Sequence, residues 1–374
     1  MRGLVVPEAA LEGGLPSKKT IVASTLRWAA FGPYYAMMPQ SFARQKIAEF
    51  TAPRDLVLDP FCGRGTIPFA AAELGRKFLG VEIFSVGWIF ASTKLAPAKK
   101  DKVVARLRQI SEIAPTTVEE GEFFRLAFNE KTLRFLCVAR EHLNWRRSNI
   151  DRTLMAFILV SLHDKIGIGL SNQMRQTKAV CPKYAVRWWQ AHGYSKPPSS
   201  TDPEVLLFKR IEWRYKKGAP DFAGKGTILL GDSARAVSRN NPPEKASLLF
   251  TSPPYYGVTN YHRDQWLRHW MLGGEAFPSS GPGAHCGRFE SKHQYEILLE
   301  TVFSNCRTLM KRTGVICIRT DARTFTFDTT LGVLAKVFPG KSILVENSPL
   351  TKPSQTALFG DDSQKPGEVD ITLY

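Results

Sequence analysis

Two short segments of this 374-residue chain combine residue types that could do chemistry together. One is TSPPYYG (251–257), directly after the apolar run SLLF. Adjacent prolines end a strand and stiffen the turn that follows, because their φ is fixed and neither carries an N–H. The Ser252 hydroxyl and the Pro253 carbonyl can then face one bound group. Two such acceptors converging on an exocyclic amino group hold its hydrogens and direct the nitrogen lone pair elsewhere. Tyr255 offers a ring face for stacking, and such a pocket suits a nucleobase taken out of its stack. The same residues also suit a loop staple or a polyproline ligand. The other segment is LDPFCGRGT (58–66), in which Gly63 and Gly65 permit a tight turn and close backbone approach by a bound molecule. A dinucleotide fingerprint would have glycine where Pro68 stands, and a phosphate loop would have Gly-Lys-Ser/Thr; neither pattern is met. Glu82, ending the next apolar run, stands where an acid meets the two hydroxyls of a ribose. The combination points to a nucleoside-containing cofactor rather than a bare phosphate.

These segments need a frame, and the sequence predicts one. DLVLD (55–59), the glycine turn, the helix TIPFAAAELG (66–75) and FLGVE (78–82) form a βαβ unit of a parallel sheet. The rhythm returns with strands at 226–232, 246–252 and 314–321 and a helix at 295–310. Beyond these, 331–338 reads as a helix, and 342–348 and 369–374 as strands. Between the halves, 133–145 and 153–168 have helical length and periodicity. The expected fold is α/β: one sheet of about seven mostly parallel strands, built from 1–90 and 226–374, with a mostly helical insert at 91–225.

The 51 lysines and arginines outnumber the 34 aspartates and glutamates, giving a net charge of +17. From Lys94 to Lys225, 25 basic residues face 13 acidic ones, so most of the excess lies in the insert. The insert also carries Trp145, Tyr184, Trp188, Trp189, Tyr194, Trp213 and Tyr215, flat rings that can stack on bases or pack a core. A nucleic acid is the expected partner. The composition excludes a disordered or collagenous chain, and no apolar stretch reaches the roughly 20 residues of a membrane span. The N-terminus has no apolar signal region, and the six cysteines show no Cys-x-x-Cys spacing. Reduced thiols in a cytoplasmic, nucleoid-associated protein of prokaryotic type are expected. His262, His269, His285, His293 and Cys286 match no standard zinc spacing, so no metal is expected. The helix expected at 261–272 packs Trp266 and Trp270 inward, and the Gly/Pro-rich stretch 273–287 reads as a loop able to close over a substrate.

Taken together, LDPFCGRGT, Glu82, GDS (231–233) and TSPPYYG resemble motifs I to IV of the S-adenosylmethionine-dependent amino-group DNA methyltransferases, which methylate N4 of cytosine or N6 of adenine. PYYAMMPQSFARQKIAEF (33–50) is similar to the family's motif X. The resemblance implies a Rossmann-like class I methyltransferase sheet and S-adenosyl-L-methionine as cofactor. It implies that Met38, Pro39, Asp59, Phe61, Gly63, Gly65 and Thr66 surround the methionine moiety. Glu82 takes the ribose hydroxyls, Asp232 and Ser233 the adenine, and Ser252, Pro253, Pro254 and Tyr255 form the catalytic loop. Serine at the first loop position is the version common among N4-cytosine enzymes, with N6-adenine the alternative. The motif order departs from the commonest arrangement for relatives with this motif I, since motif I leads and the insert separates II from III.

The implied activity is site-specific methylation of a flipped base in double-stranded DNA, beside a cognate restriction endonuclease acting separately. A noncatalytic nucleic-acid-binding protein of the same fold is the contrasting class, and an RNA base methyltransferase a further alternative. No thiol nucleophile is needed for an exocyclic amine, so the cysteines are read as core or surface thiols. Candidate DNA contacts are Asn172, Gln173, Arg175, Lys178 and Arg187 in the insert, with Tyr261 and Arg263 after the catalytic loop. Their side-chain types read base edges, though the same types make ordinary polar surface.

Overall fold

The computed structural model describes residues 24–34, 38–175, 181–239, 242–257, 261–276, 291–348 and 367–374. Seven strands form: β1 (Leu56–Asp59), β2 (Lys77–Glu82), β3 (Gly226–Leu230), β4 (Ala246–Thr251), β5 (Met310–Asp321), β6 (Ile343–Ser348) and β7 (Glu368–Leu373). They make one sheet in the order β3-β2-β1-β4-β5-β7-β6. The first five run parallel, and β7 lies antiparallel between β5 and β6. This is a Rossmann-like, mostly parallel sheet, as the resemblance implied. Strand β4 is buried along its whole length and reads as an unbroken apolar run because helices cover both faces.

The chain moves outward from β1 through β2 to β3, then returns to lay β4 on the other side of β1. The loops after β1 and β4 therefore diverge at the carboxyl edge, and such a switch point is where open α/β sheets hold ligands. Both chemistry-bearing segments sit there.

Around the sheet lie α1 (Ser24–Ala29), α2 (Gln40–Phe50), α3 (Thr66–Glu73) and α4 (Ser85–Leu95). The insert contributes α5 (Lys100–Glu112), α6 (Glu122–Ala127), α7 (Glu130–His142), α8 (Asn149–Ser161), α9 (Pro182–Ala191) and α10 (Pro203–Tyr215). The remainder are α11 (Ser233–Arg239), α12 (Tyr261–Asp264), α13 (Trp266–Met271), α14 (Lys292–Leu309) and α15 (Thr324–Val337). The helix expected over 261–272 is broken at Gln265 into α12 and α13, and Trp266 and Trp270 are buried as expected. Most of 273–287 lies outside the described residues, as do Cys286 and His285.

The sheet and the insert share a core. One buried cluster runs from Val57, Phe78 and Phe250 on the strands through α3 and α4 into Leu154, Phe157, Trp189 and Ile211. Helix α8 is buried almost all round and packs on α4, α5 and α10, which explains its continuous apolar stretch from Leu154 to Val160. Its N-terminus is capped by Ser148, whose hydroxyl accepts from the Asp151 N–H at 3.1 Å. The opposite face of the sheet is covered by α11, α14 and α15 around Leu58, Phe303 and Leu334.

The shared core corrects part of the DNA-contact expectation. Asn172 is fully buried, and its amide donates to the carbonyls of Leu126, Tyr194 and Lys196 at 3.1, 2.8 and 3.2 Å. A side chain so committed cannot read a base edge. Gln173 is half-buried and accepts the Ile166 N–H, while its carbonyl takes the Trp189 indole N–H. Of the insert aromatics, Trp145 and Trp189 are core, and Trp188 stacks on His192 and Tyr194. Tyr184 and Trp213 are exposed. Arg175 and Arg187 are exposed on the insert, and Arg263 on α12. Lys178 and the side chain of Tyr261 lie outside the described residues.

Because one core spans both parts, damage to the insert reaches the sheet. Asn172→Ala removes the hydrogen bonds to three part-buried carbonyls and is expected to cost about 1–3 kcal/mol. Urea unfolding followed by tryptophan fluorescence should show a single transition shifted to lower denaturant. Two separated transitions would mean that the insert folds independently.

Candidate active site

The glycine turn after β1 is built from backbone that only glycine adopts easily. Gly63 and Gly65 have φ of +52° and +75°, and the Gly65 N–H donates to the Cys62 carbonyl at 2.7 Å. A Cβ on Gly65 would stand 2.7 Å from the Ala91 methyl on α4, so this residue serves helix packing. A Cβ on Gly63 would meet nothing among the described residues within 4 Å. Gly63 instead borders an open cleft of about 260 Å³.

That cleft brings together Phe61, Gly63, Glu82, Asp232, Ser233, Ser252 and Pro254, seven of the residues expected from the sequence. Tyr34, Pro60, Val81, Ile83, Phe84 and Leu298 complete it. Its wall is stitched by main-chain bonds: the Cys62 N–H donates to Val81, and the Gly231 N–H to Glu82. Ser233 donates its hydroxyl to the Pro60 carbonyl, holding the end of β3 against the glycine turn. Its role is thus partly to shape the cleft.

Glu82 is buried at the end of β2 and accepts the Phe84 N–H at 2.8 Å. Burial pushes its carboxyl up to about 7, against the N–H groups of Phe84, Gly63 and Ile83 that favour the ionised form. Gly87 lets α4 approach it, since a Cβ there would lie 3.1 Å from the carboxyl carbon. Asp59, also buried, accepts the Thr251 hydroxyl at 2.6 Å and the Phe61 N–H at 3.3 Å. Burial pushes it up to about 7 as well, with the Glu82 charge adding to the effect. Asp59 does not line the cleft; it supports the turn that does.

Other expected residues fall beside the cleft. Thr66 is buried at the start of α3, and Pro253 is buried behind Ser252 and Pro254. Tyr255 is half-buried, with its hydroxyl 3.3 Å from Ser252 Oγ and donating to Glu368 at 3.2 Å. Met38 packs against the core and Pro39 is the exposed residue preceding α2. Neither lines the cleft; from that segment Tyr34 does. Ile83 and Phe84 went unread, although two large apolar residues after a strand-end acid, one of them 44% exposed, are a signal for a flat ligand. Leu298 comes from α14, distant in sequence, and carries no local signal.

The donor set fits S-adenosylmethionine. A strand-end carboxylate suits a ribose diol, Asp232 and the apolar residues after Glu82 suit an adenine, and the open space at Gly63 admits close backbone approach. A family model described as DNA methylase matches residues 16–85, the stretch holding the glycine turn and Glu82. The DNA adenine methyltransferase YhdJ of Escherichia coli (strain K12) is 31% identical over 93 residues, covering 21% of this chain and 32% of that protein. The chain therefore spans about a third of the length of this curated relative. Among solved structures, a TehB-like SAM-dependent methyltransferase from Corynebacterium glutamicum ATCC 13032 aligns at TM-score 0.33 and 10% identity, over 88% of this chain and 85% of that one. The precorrin-6y C5,15-methyltransferase of Geobacter metallireducens GS-15 aligns at 0.36 and 8%, over 92% of each.

The two glycines should separate under mutation. Gly65→Ala, strained and clashing with Ala91, is expected to lose about 2–4 kcal/mol in chemical denaturation. Gly63→Ala should lose only about 1 kcal/mol yet abolish S-adenosylmethionine binding in calorimetry. Equal stability losses would refute this division.

The buried acids set a pH dependence of opposite sign for folding and binding. The unfolded chain sheds these protons near pH 4 and the folded chain near 7, so stability of the free protein falls as pH rises through that window. A ribose diol is best held by an ionised carboxylate, so a cofactor held at Glu82 is expected to bind more tightly from pH 6 to 8. Glu82→Gln should weaken binding and flatten that rise.

Proposed function

We propose that this chain is an S-adenosylmethionine-dependent DNA methyltransferase that methylates the exocyclic amine of a flipped base, N4 of cytosine. The observation that carries the reading is that Ser252 and Pro254 of the Pro-Pro loop open into the same cleft as Glu82 and Asp232. The loop suited to an amino group and the residues suited to a nucleoside donor thus share one cavity.

An aryl amine is a poor nucleophile because its lone pair is delocalised into the ring. Ser252 Oγ and the Pro253 carbonyl accept its two hydrogens and favour a pyramidal nitrogen with its lone pair turned toward the donor. Bound S-adenosylmethionine supplies a methyl group activated by a sulfonium. Glu82 and Asp232 fix the donor's orientation, so the chain contributes mainly proximity and alignment. The nitrogen becomes an acidic cation on alkylation, so its proton leaves without a strong base. Tyr255 provides a ring against which the extruded base rests.

The partner is double-stranded DNA. Arg175 and Arg187 on the insert and Arg263 on α12 are exposed cations suited to phosphates. Serine in the first loop position favours cytosine. The adenine specificity in the name of the curated relative favours N6 of adenine as the second reading. A separate cognate restriction endonuclease fits either.

Incubating the protein with S-adenosylmethionine and unmethylated duplex DNA should yield N4-methylcytosine by nucleoside mass spectrometry. N6-methyladenine would establish the second reading, and methylation of RNA alone would overturn DNA as substrate. Ser252→Ala should abolish turnover while cofactor binding survives; full activity in that variant would remove the loop from the mechanism.

A further inference from the structure

The last described strand places a charged network directly behind the Pro-Pro loop. Tyr255 Oη lies 3.3 Å from Ser252 Oγ and donates to Glu368 Oε1 at 3.2 Å. The other Glu368 oxygen is 3.3 Å from Arg319 Nη1. Arg319 sits opposite Asp370 across the β5–β7 ladder and makes a two-pronged pair with it, at 2.8 Å on each prong. Its guanidinium also stacks 3.5 Å above the Phe42 ring of α2. Arg319 and Asp370 are buried and Glu368 is half-buried, so the carboxylate is held on a rigid mount.

The direction of hydrogen bonding follows from the chemistry of the three groups. An ionised carboxylate can only accept, whereas each hydroxyl donates one hydrogen and accepts through its lone pairs. Glu368 therefore takes the Tyr255 hydrogen. With that hydrogen committed, Tyr255 Oη faces Ser252 as an acceptor and takes the Ser252 hydrogen. Ser252 is left to present a lone pair, and no hydrogen, to whatever lies in the cleft. Burial, then the neighbouring Glu368 charge, pushes the Tyr255 hydroxyl well above its ordinary value, so it keeps its proton. Both hydroxyl contacts, at 3.3 and 3.2 Å, are longer than the 2.7–2.8 Å typical of such bonds.

We propose that Glu368 is a positioning residue for the transfer reaction: held by Arg319, it orients the Tyr255 and Ser252 hydroxyls so that Ser252 accepts a hydrogen of the substrate amine. This rests on the amino-methyltransferase reading and extends it to a strand outside the recognised motifs. Without Glu368, the Tyr255 hydroxyl is free to donate to Ser252 Oγ, which releases the Ser252 hydrogen to point at the amine and compete with acceptance of the amine's own hydrogen.

The test is a mutant cycle on single-turnover methyl transfer from radiolabelled S-adenosylmethionine to unmethylated genomic DNA, with enzyme in excess. Glu368→Ala and Tyr255→Phe should each slow transfer about tenfold, the scale of one hydrogen bond to a charged group, with cofactor Kd changed by less than about twofold. The double variant should be no slower than the slower single one, because Glu368 acts only through Tyr255. Glu368→Gln keeps the shape and one acceptor oxygen, so its rate should fall between wild type and Glu368→Ala. A wild-type rate in Glu368→Ala or Glu368→Gln, or effects that multiply in the double variant, would overturn the assignment. Multiplying effects would mean that Glu368 supports the fold through Arg319 instead. Absence of any transfer by the wild-type chain would remove the methyltransferase reading and this assignment with it.

Discussion

The hydrogen bond from the Thr251 hydroxyl to Asp59 joins the last residues of two neighbouring parallel strands, β4 and β1. These residues are 192 positions apart, yet everything in the cleft depends on their meeting. Asp59 also receives the Phe61 N–H and so fixes the start of the glycine turn. Thr251 immediately precedes Ser252 and so fixes the start of the Pro-Pro loop. One buried carboxyl thereby ties the glycine turn to the Pro-Pro loop across the cleft. Burial is what raises this carboxyl toward neutral pH, and the two hydrogen bonds offset part of the cost of leaving water.

The surrounding sheet makes that meeting inevitable. The register pairs Val57 with Leu248 and Leu58 with Leu249, so the two strands end level at the carboxyl edge. Sheet order then sends the following loops apart and opens the cleft between them. On the far side, β7 brings Glu368 and Asp370 against Arg319 of β5, giving the Pro-Pro loop a charged support as well as a hydrophobic one. Tyr256 supplies the latter by packing on Tyr295 and Phe325.

The basic insert divides its charge between structure and surface. Arg106 pairs with Asp151, Arg210 with Asp164 and Lys131 with Asp202. Lys94 is fully buried, and burial pushes its pKa down. The outward field comes from the remaining exposed lysines and arginines. The same division holds for the rings: aromatic content that could have meant base stacking is largely the core joining insert to sheet.

The local features were legible in the sequence. Seven strands, the glycine turn and the Pro-Pro loop follow from apolar runs, fixed φ and tolerance of positive φ, all properties of adjacent residues. The positions of Glu82 and Asp232 at the cleft could be placed because each ends or follows a strand whose direction the βαβ pattern dictates. What the sequence could not hold is which distant groups face each other. Asn172 has the chemistry of a base reader, and only packing made it a buried tie between three main-chain carbonyls. Tyr34 lines the cleft and Met38 does not, a difference that no local pattern distinguishes. Leu298 and Glu368 reach the site from elements that carry no motif. Local pattern determined which segments could bear chemistry, and tertiary structure decided their partners, because hydrogen bonds form across strand ends whose proximity depends on the whole sheet order.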